Sequence, residues 1–434
     1  MTYRPVVDQF VLPVPLDPPS AALFVAVAIA TALLAARRPA YGLCALVLAM
    51  PIAFYHEALG TTLTLPKATL LGVLLGLTTY AGCMKTLRDR PMPTLLGAIG
   101  LYLIVTALTI AGAEHRVAAL RETLKVAEYA AIFVAAYLCY RLDSDDAPLV
   151  GSVAVGAIVV ALSALAQELL GAPSGLYVGP AIVPRIAGLL EGPNQLSAYF
   201  ELSTAILGAW AFVRPSLWLR VALFLTICAD VLTFSRAGFF GLAVVAFILA
   251  LVWGKTAWRA LRPALFGLGA GLLGAGWWAI YAHTPGVLRV SLDQSLYAGG
   301  VGNRSELWRA AWRMWLHRPI LGVGAGNFEL ELPQYGVAGV RTHANSWYLQ
   351  SLAEGGLLLL AATIALVTVA IATFARDTTL ERLRAGSPWI VAALAGSLAL
   401  ALHQIVDYLV FYPKIGGTWW LLLGVAAAAL ATRA

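Results

Sequence analysis

The chain has 434 residues, of which 60% are hydrophobic and only 12% charged, with a net charge of +7. Soluble domains carry about a quarter charged residues, so this composition excludes an ordinary soluble enzyme. Most Lys and Arg fall in short connections between apolar runs, so the positive charge is no argument for nucleic acid.

Taken in order, the apolar runs predict membrane helices over 20–36, 40–57, 66–83, 94–112, 121–140, 148–170, 195–213, 217–234, 237–253, 260–282, 346–374, 388–411 and 415–432. Pro51 and the brevity of 40–57 leave room for a half-span there, so the expected fold is an all-α polytopic membrane protein with 12 or 13 transmembrane helices. The runs are too long and continuous for barrel strands, and backbone groups in lipid must be satisfied within each segment. The first twenty residues are mixed and Pro-rich and do not read as a cleavable signal peptide. Cys44, Cys83, Cys139 and Cys228 all sit inside apolar runs and read as small core residues.

Arg37 and Arg38, Lys85, Arg88 and Arg90, Arg141, Arg214 and Arg220, Lys255, Arg259 and Arg262, Arg376, Arg382 and Arg384, and Arg433 occupy every second connection. The positive-inside rule makes these cytoplasmic. Connections 58–65, 113–120, 171–194, 235–236, 283–345 and 412–414 are then outside, with the N-terminus outside if all thirteen spans cross. The whole chain, 1–434, reads as a single integral membrane domain, and 283–345 as one large outside loop. Within that loop, 303–316 has helical periodicity, with Trp308, Trp312 and Trp315 on one face beside Arg309 and Arg313. Such a helix suits the headgroup plane or the top of the bundle. Gly322, Gly324 and Gly326 follow as a flexible turn; no strand precedes them and no lysine follows, so they are poor evidence for nucleotide binding.

Outside arginines run against the positive-inside rule and therefore call for a partner. Arg236 lies in a tight joint between two spans, Arg185 in the segment leading to Asn194, and Arg304 at the start of the Trp-bearing helix, where a helix N-terminus already attracts anions. Arg341 follows near the end of the loop. Lys125 sits one turn after Arg121 and three residues before Glu128, and an intrahelical ion pair would explain it equally well. Solvated or headgroup-snorkelling arginines are the plain alternative for the rest. Guanidinium forks fit phosphate oxygens, so the set suggests a lipid-borne di-anion. His343 precedes a helix expected to start near Asn345, and the positive helix end and nearby arginines favour its neutral form, which is competent as a general base. Asp407 has His403 one turn before it and would pair either with that histidine or with an arginine of the pocket. His56, His115, His317 and His403 show no metal-ligand spacing, and no metal site is expected.

Several stretches together resemble one family: Ser235-Arg236 at a span joint; Asn303-Arg304 leading to Trp308; His317-Arg318-Pro319-Ile320-Leu321-Gly322-Val323-Gly324; His343-Ala344-Asn345; and Ala353-Glu354-Gly355-Gly356. Arg185 followed by Gly192-Pro193-Asn194 fits the same pattern. Across about residues 180–360 the chain resembles the O-antigen ligase and O-antigen polymerase superfamily, in which His and Asn are usually adjacent; here Ala344 stands between them. The resemblance implies a fold similar to GT-C-type membrane glycosyltransferases and transfer of a glycan from undecaprenyl diphosphate at the periplasmic side of a Gram-negative inner membrane, without ATP, cofactor or essential metal. The acceptor would be lipid A-core, as in an O-antigen ligase of lipopolysaccharide biosynthesis. A second lipid-linked glycan (a polymerase) or a protein (an O-oligosaccharyltransferase) are alternatives. Carried over, His343 would be the base, with Arg236 and Arg304 on the diphosphate, Arg185 and Lys125 beside them, and Asn345, Asn194, Arg341 and Asp407 in support. A transporter whose arginines line a pathway for the lipid-linked glycan is the more distant reading.

Overall fold

Apolar segments that must satisfy their own backbone hydrogen bonds become helices, and the helices fall where the hydropathy pattern places them. The computed structural model describes residues 12–13, 18–52, 54–58, 61–80, 83, 86, 93–170, 174–178, 181–254, 257–281, 301–337, 343–375 and 379–432. The principal helices are α1 (Pro18–Arg37), α2 (Pro39–Ala49), α3 (Leu65–Thr78), α4 (Pro93–Leu108), α5 (Arg116–Leu142), α6 (Asp146–Leu170), α7 (Pro193–Val213), α8 (Leu217–Val231), α9 (Arg236–Trp253), α10 (Ala257–Tyr281), α11 (Val301–His317), α12 (Phe328–Glu331), α13 (Trp347–Ala375), α14 (Leu380–Ala385), α15 (Pro388–His403) and α16 (Pro413–Ala431). The only strands among the described residues are short. Leu12–Pro13 pairs with Phe54–Ala58, which pairs with Thr61–Thr64, and Ser174–Val178 pairs with Ala181–Arg185.

Local chemistry sets the boundaries. Proline occupies the first turn of α2, α7, α15 and α16, where its missing N–H costs nothing. Ser216 and Ser235 cap α8 and α9 by accepting from Leu219 N–H and Gly238 N–H, supplying acceptors to otherwise orphan donors. Several expected spans come out shorter, two of them markedly. The run 40–57 yields an α2 of 11 residues, about 16 Å long and half the hydrocarbon thickness, because the chain leaves the helix at Met50–Pro51. The run 388–411 ends as α15 at His403, followed by a 3-10 turn at Leu409–Phe411. Among the described residues, seven helices are long and apolar enough to cross a membrane alone, and four apolar helices are shorter. The chain is an all-α, multi-pass membrane protein.

Helices α7 and α16 are buried almost all round, whereas α1, α4 and α9 expose Leu33, Ile104 and Phe247 outward. Close packing at the centre needs small residues: a Cβ on Gly424 of α16 would lie 2.5 Å from the Phe133 carbonyl oxygen of α5. The connections expected on one side do gather at one end. There His115 meets Asn327, Arg318 meets Gly112, and Lys414 meets Leu189. At the opposite end Arg38 binds Asp143 and Asp145, and Arg384 donates to the Val252 carbonyl. The four cysteines are unpaired, with Cys44 and Cys139 buried.

Helix α11 packs on α13 with Leu307, Ala310, Ala311 and Met314 buried, while Trp308 and Trp315 are half-buried. Trp312 is 49% exposed and stacks obliquely on Trp315, with Leu316 and Ile320 also outward. The packing alternative for this helix is thus met, and its other face stays outward. Its exit, residues 319–324, pairs with the kinked start of α13: Val323 N–H donates to Ala353 O, Gly324 N–H to Glu354 O, and Leu357 N–H to Pro319 O. Gly322 and Gly356 both have φ of +60, and a Cβ on Gly322 would run into the Glu354 carbonyl carbon. Only glycine permits that approach.

Candidate active site

His343 is buried at the end where the long connections meet. Its ring sits among Tyr408, Phe411 and Tyr412, with centroids 5.9, 5.7 and 5.8 Å away. Nδ1 accepts the Asn345 N–H at 3.1 Å, and Asn345 takes a left-handed φ of 49 to present it. A neutral imidazole holds one proton, so that proton is on Nε2 and points to Tyr412 Oη, 3.1 Å away. Burial lowers the proton affinity of the ring; Asp407 opposes this, and Arg304 and Lys125 reinforce it. The neutral ring expected from sequence is therefore the favoured form, with burial as the chief cause.

Asp407 is the hub around which the cations are arranged. The end of α15 at His403 leaves it in the following connection rather than inside a span. His403 Nδ1 lies 2.5 Å from Glu201 Oε1, so the direct His403–Asp407 pair is not formed, and the link from Asp407 to an arginine runs through Asn194. Asp407 Oδ2 accepts from Asn194 Nδ2 at 2.7 Å, and Asn194 Oδ1 accepts from Arg185 Nη2 at 2.8 Å. Burial disfavours ionised Asp407, but His343, Arg304 and His403 together outweigh it and hold the carboxyl below its usual range. Arg185 also donates through Nε to Thr233 O. Burial brings its pKa down to about 10, with Arg304 and Arg236 pulling the same way, so it stays charged at neutral pH. That mutual repulsion means Arg185, Arg236 and Arg304 share one field.

Arg236 opens α9 after Phe234, whose φ of 51 is a left-handed outlier for an aromatic residue. Such strain collects at functional joints. Arg304 is partly buried and forms no ion pair with Glu306 or Glu329 among the described residues. Lys125 bonds Glu122 at 2.7 Å, donates to Phe411 O and lies 4.1 Å over the Phe411 ring. The expected Lys125–Glu128 pair gives way to this one, because Glu128 turns to Lys67 at 3.5 Å. Asn345 contributes its backbone N–H; Arg341 lies outside the described residues.

Glu354, from the stretch 353–356, holds this arrangement together with Gln350 and Tyr412, two residues that the sequence patterns do not single out. Gln350 Oε1 accepts Ala344 N–H, and its Nε2 donates to Glu354 Oε1, which also accepts Phe328 N–H. Tyr412 faces the imidazole. Gln350 and Glu354, four apart at the start of an apolar helix and both buried, do carry a legible signal: an acid in such a helix calls for a partner. Tyr412 carries none.

Residues 221–364 match the family model described as O-antigen ligase. No curated protein matches the chain. The family match supports the O-antigen ligase and polymerase superfamily, and with it a glycan-transferring membrane enzyme of general ligase or polymerase type acting on lipid-linked glycans. The matched segment includes Arg236, Arg304 and His343, while Arg185, Asn194, Asp407, Lys125 and Tyr412 lie outside it.

Proposed function

We propose that this chain is an O-antigen ligase, moving a glycan from undecaprenyl diphosphate to lipid A-core at the periplasmic face of a Gram-negative inner membrane, with 283–345 as the periplasmic loop. One observation carries the reading: a buried His343, held toward its neutral form, stands in the field of Arg304, and Arg185 lies in the field of both Arg304 and Arg236. An anionic ligand is what such a gathering of cations attracts, and a lipid diphosphate supplies it. The acceptor hydroxyl gives its proton to His343 and attacks the anomeric carbon. The bond to the diphosphate breaks, and its electron pair leaves with the phosphate oxygen. Fixed guanidinium groups stabilise the charge developing there, and single displacement inverts the anomeric centre.

The geometry adds one requirement. The ring's one free lone pair, on Nδ1, already holds the Asn345 N–H, and the Nε2 proton faces Tyr412, so the Asn345 contact must open before the acceptor hydroxyl can give its proton to the ring. Reconstitution with lipid-linked donor and purified lipid A-core, read on a gel, tests the reading. Product that forms only with a second lipid-linked glycan would make the protein a polymerase, and product only with a protein acceptor an O-oligosaccharyltransferase. Movement of the donor across vesicles without transfer would make it a transporter.

A further inference from the structure

A second cluster of ligand-bearing side chains lies apart from the imidazole of His343. Glu114 and His115, just before α5, face Glu331 of α12, and one donor atom from each lies within 4.8 Å of the others. His115 Nε2 is 3.8 Å from Glu331 Oε1. That oxygen is buried, makes no hydrogen bond, and belongs to a side chain only 3% exposed. A buried carboxylate oxygen left without a donor is costly unless a cation meets it. Glu114 and His115 are exposed, leaving an entry path. Asn327 pins the cluster, accepting His115 N–H at 2.9 Å, donating to His115 O, and accepting Glu331 N–H on its own carbonyl. Arg318 lies within electrostatic range of Glu331 and offsets part of the acidic character of the cluster.

We infer that Glu114, His115 and Glu331 bind a divalent transition-metal ion of the zinc class, which clips the connection before α5 to the segment 318–337. One imidazole and two carboxylates are a known zinc donor set, with water in the fourth position. Tetrahedral ligands ~2.1 Å from one ion lie about 3.4 Å apart, so the donors close by roughly 1 Å on binding. The clip stands outside the chemistry but is wired to it: α12 carries Phe328, whose N–H bonds Glu354, which bonds Gln350, which holds Ala344 next to His343. His115 shows no ligand spacing in sequence because its third partner comes from a distant loop.

The test uses the full chain in detergent after chelation, titrated with Zn²⁺ and followed by equilibrium dialysis with metal analysis and by thermal unfolding. One ion per chain and a rise in Tm are expected. Glu114→Gln, an exposed change, should weaken binding at least tenfold and remove the Tm rise; Glu331→Gln should do the same. Absence of saturable one-to-one binding in the unmodified protein overturns the inference. So does binding unchanged in Glu114→Gln, which decides the matter if Glu331→Gln fails to fold. Because the readout is metal and melting, a negative result leaves the transferase reading standing, and loss of transfer activity alone does not touch the clip.

Discussion

Two buried histidines, each next to a helix end, have opposite surroundings. His403 closes α15 with a carboxylate oxygen of Glu201 2.5 Å away and with Asp230 near enough to interact. His343 precedes α13 with a backbone N–H, a tyrosine hydroxyl and an aromatic wall, and with Arg304 and Lys125 in electrostatic range. The first is a basic group among acids, compensated inside the bundle. The second is kept uncharged chiefly by burial, with Arg304 and Lys125 countering Asp407, at the end where the connections converge. A histidine balanced by carboxylates is held in place by the fold; one held neutral beside gathered positive charge is suited to take a proton while an anion leaves.

The largest expected effect separates these two. His343→Ala should lower transfer by about 10²–10⁴-fold with donor binding retained; unchanged turnover in purified protein would remove the base assignment. His403→Ala should instead cost roughly 3–5 kcal/mol of stability, since it strands the Glu201 charge in the core. The check is a lower Tm with near-normal turnover in the folded fraction, and a variant that is fully stable yet inactive would erase the contrast. Arg304→Ala should weaken donor binding about ten- to hundredfold, the range for losing a hydrogen bond to a charged group, and unaltered affinity would contradict the pocket. The smallest effects concern pH. His343 has its proton affinity depressed chiefly by burial, and its neutral form is the active one. Activity should therefore persist as pH falls below about 6.5, the ordinary histidine value, and fail only at lower pH. Lys125→Met should move that acid limb up and Asp407→Asn should move it further down; a limb that neither variant shifts would mean that another group titrates.

Much of this contrast is legible in the amino-acid sequence. Hydropathy places the helices, prolines mark several starts, and Pro51 forecasts the short α2. The basic residues of alternate connections sort the loops into two sets that do gather at opposite ends. The residues proposed for the site also stand out, because arginines against the charge rule and a histidine at a membrane edge are costly to keep. Their partners are not. Glu128 pairs with Lys67 of α3, which leaves Lys125 to Glu122 of its own helix, and His403 pairs with Glu201 of α7 rather than Asp407, since the neighbouring helix decides which charges meet.

Sequence alone thus determined the class of fold, the positions of its helices and the candidate residues proposed for the chemistry, because burial in lipid restricts every polar group locally. Only the tertiary structure decided the arrangement. It joined 319–324 to 353–357, made Asp407 the hub through Asn194, set Tyr412 against the imidazole, and brought Glu331 to His115. These contacts bridge segments far apart in the chain, and their energies depend on distances of a few ångströms that only packing sets.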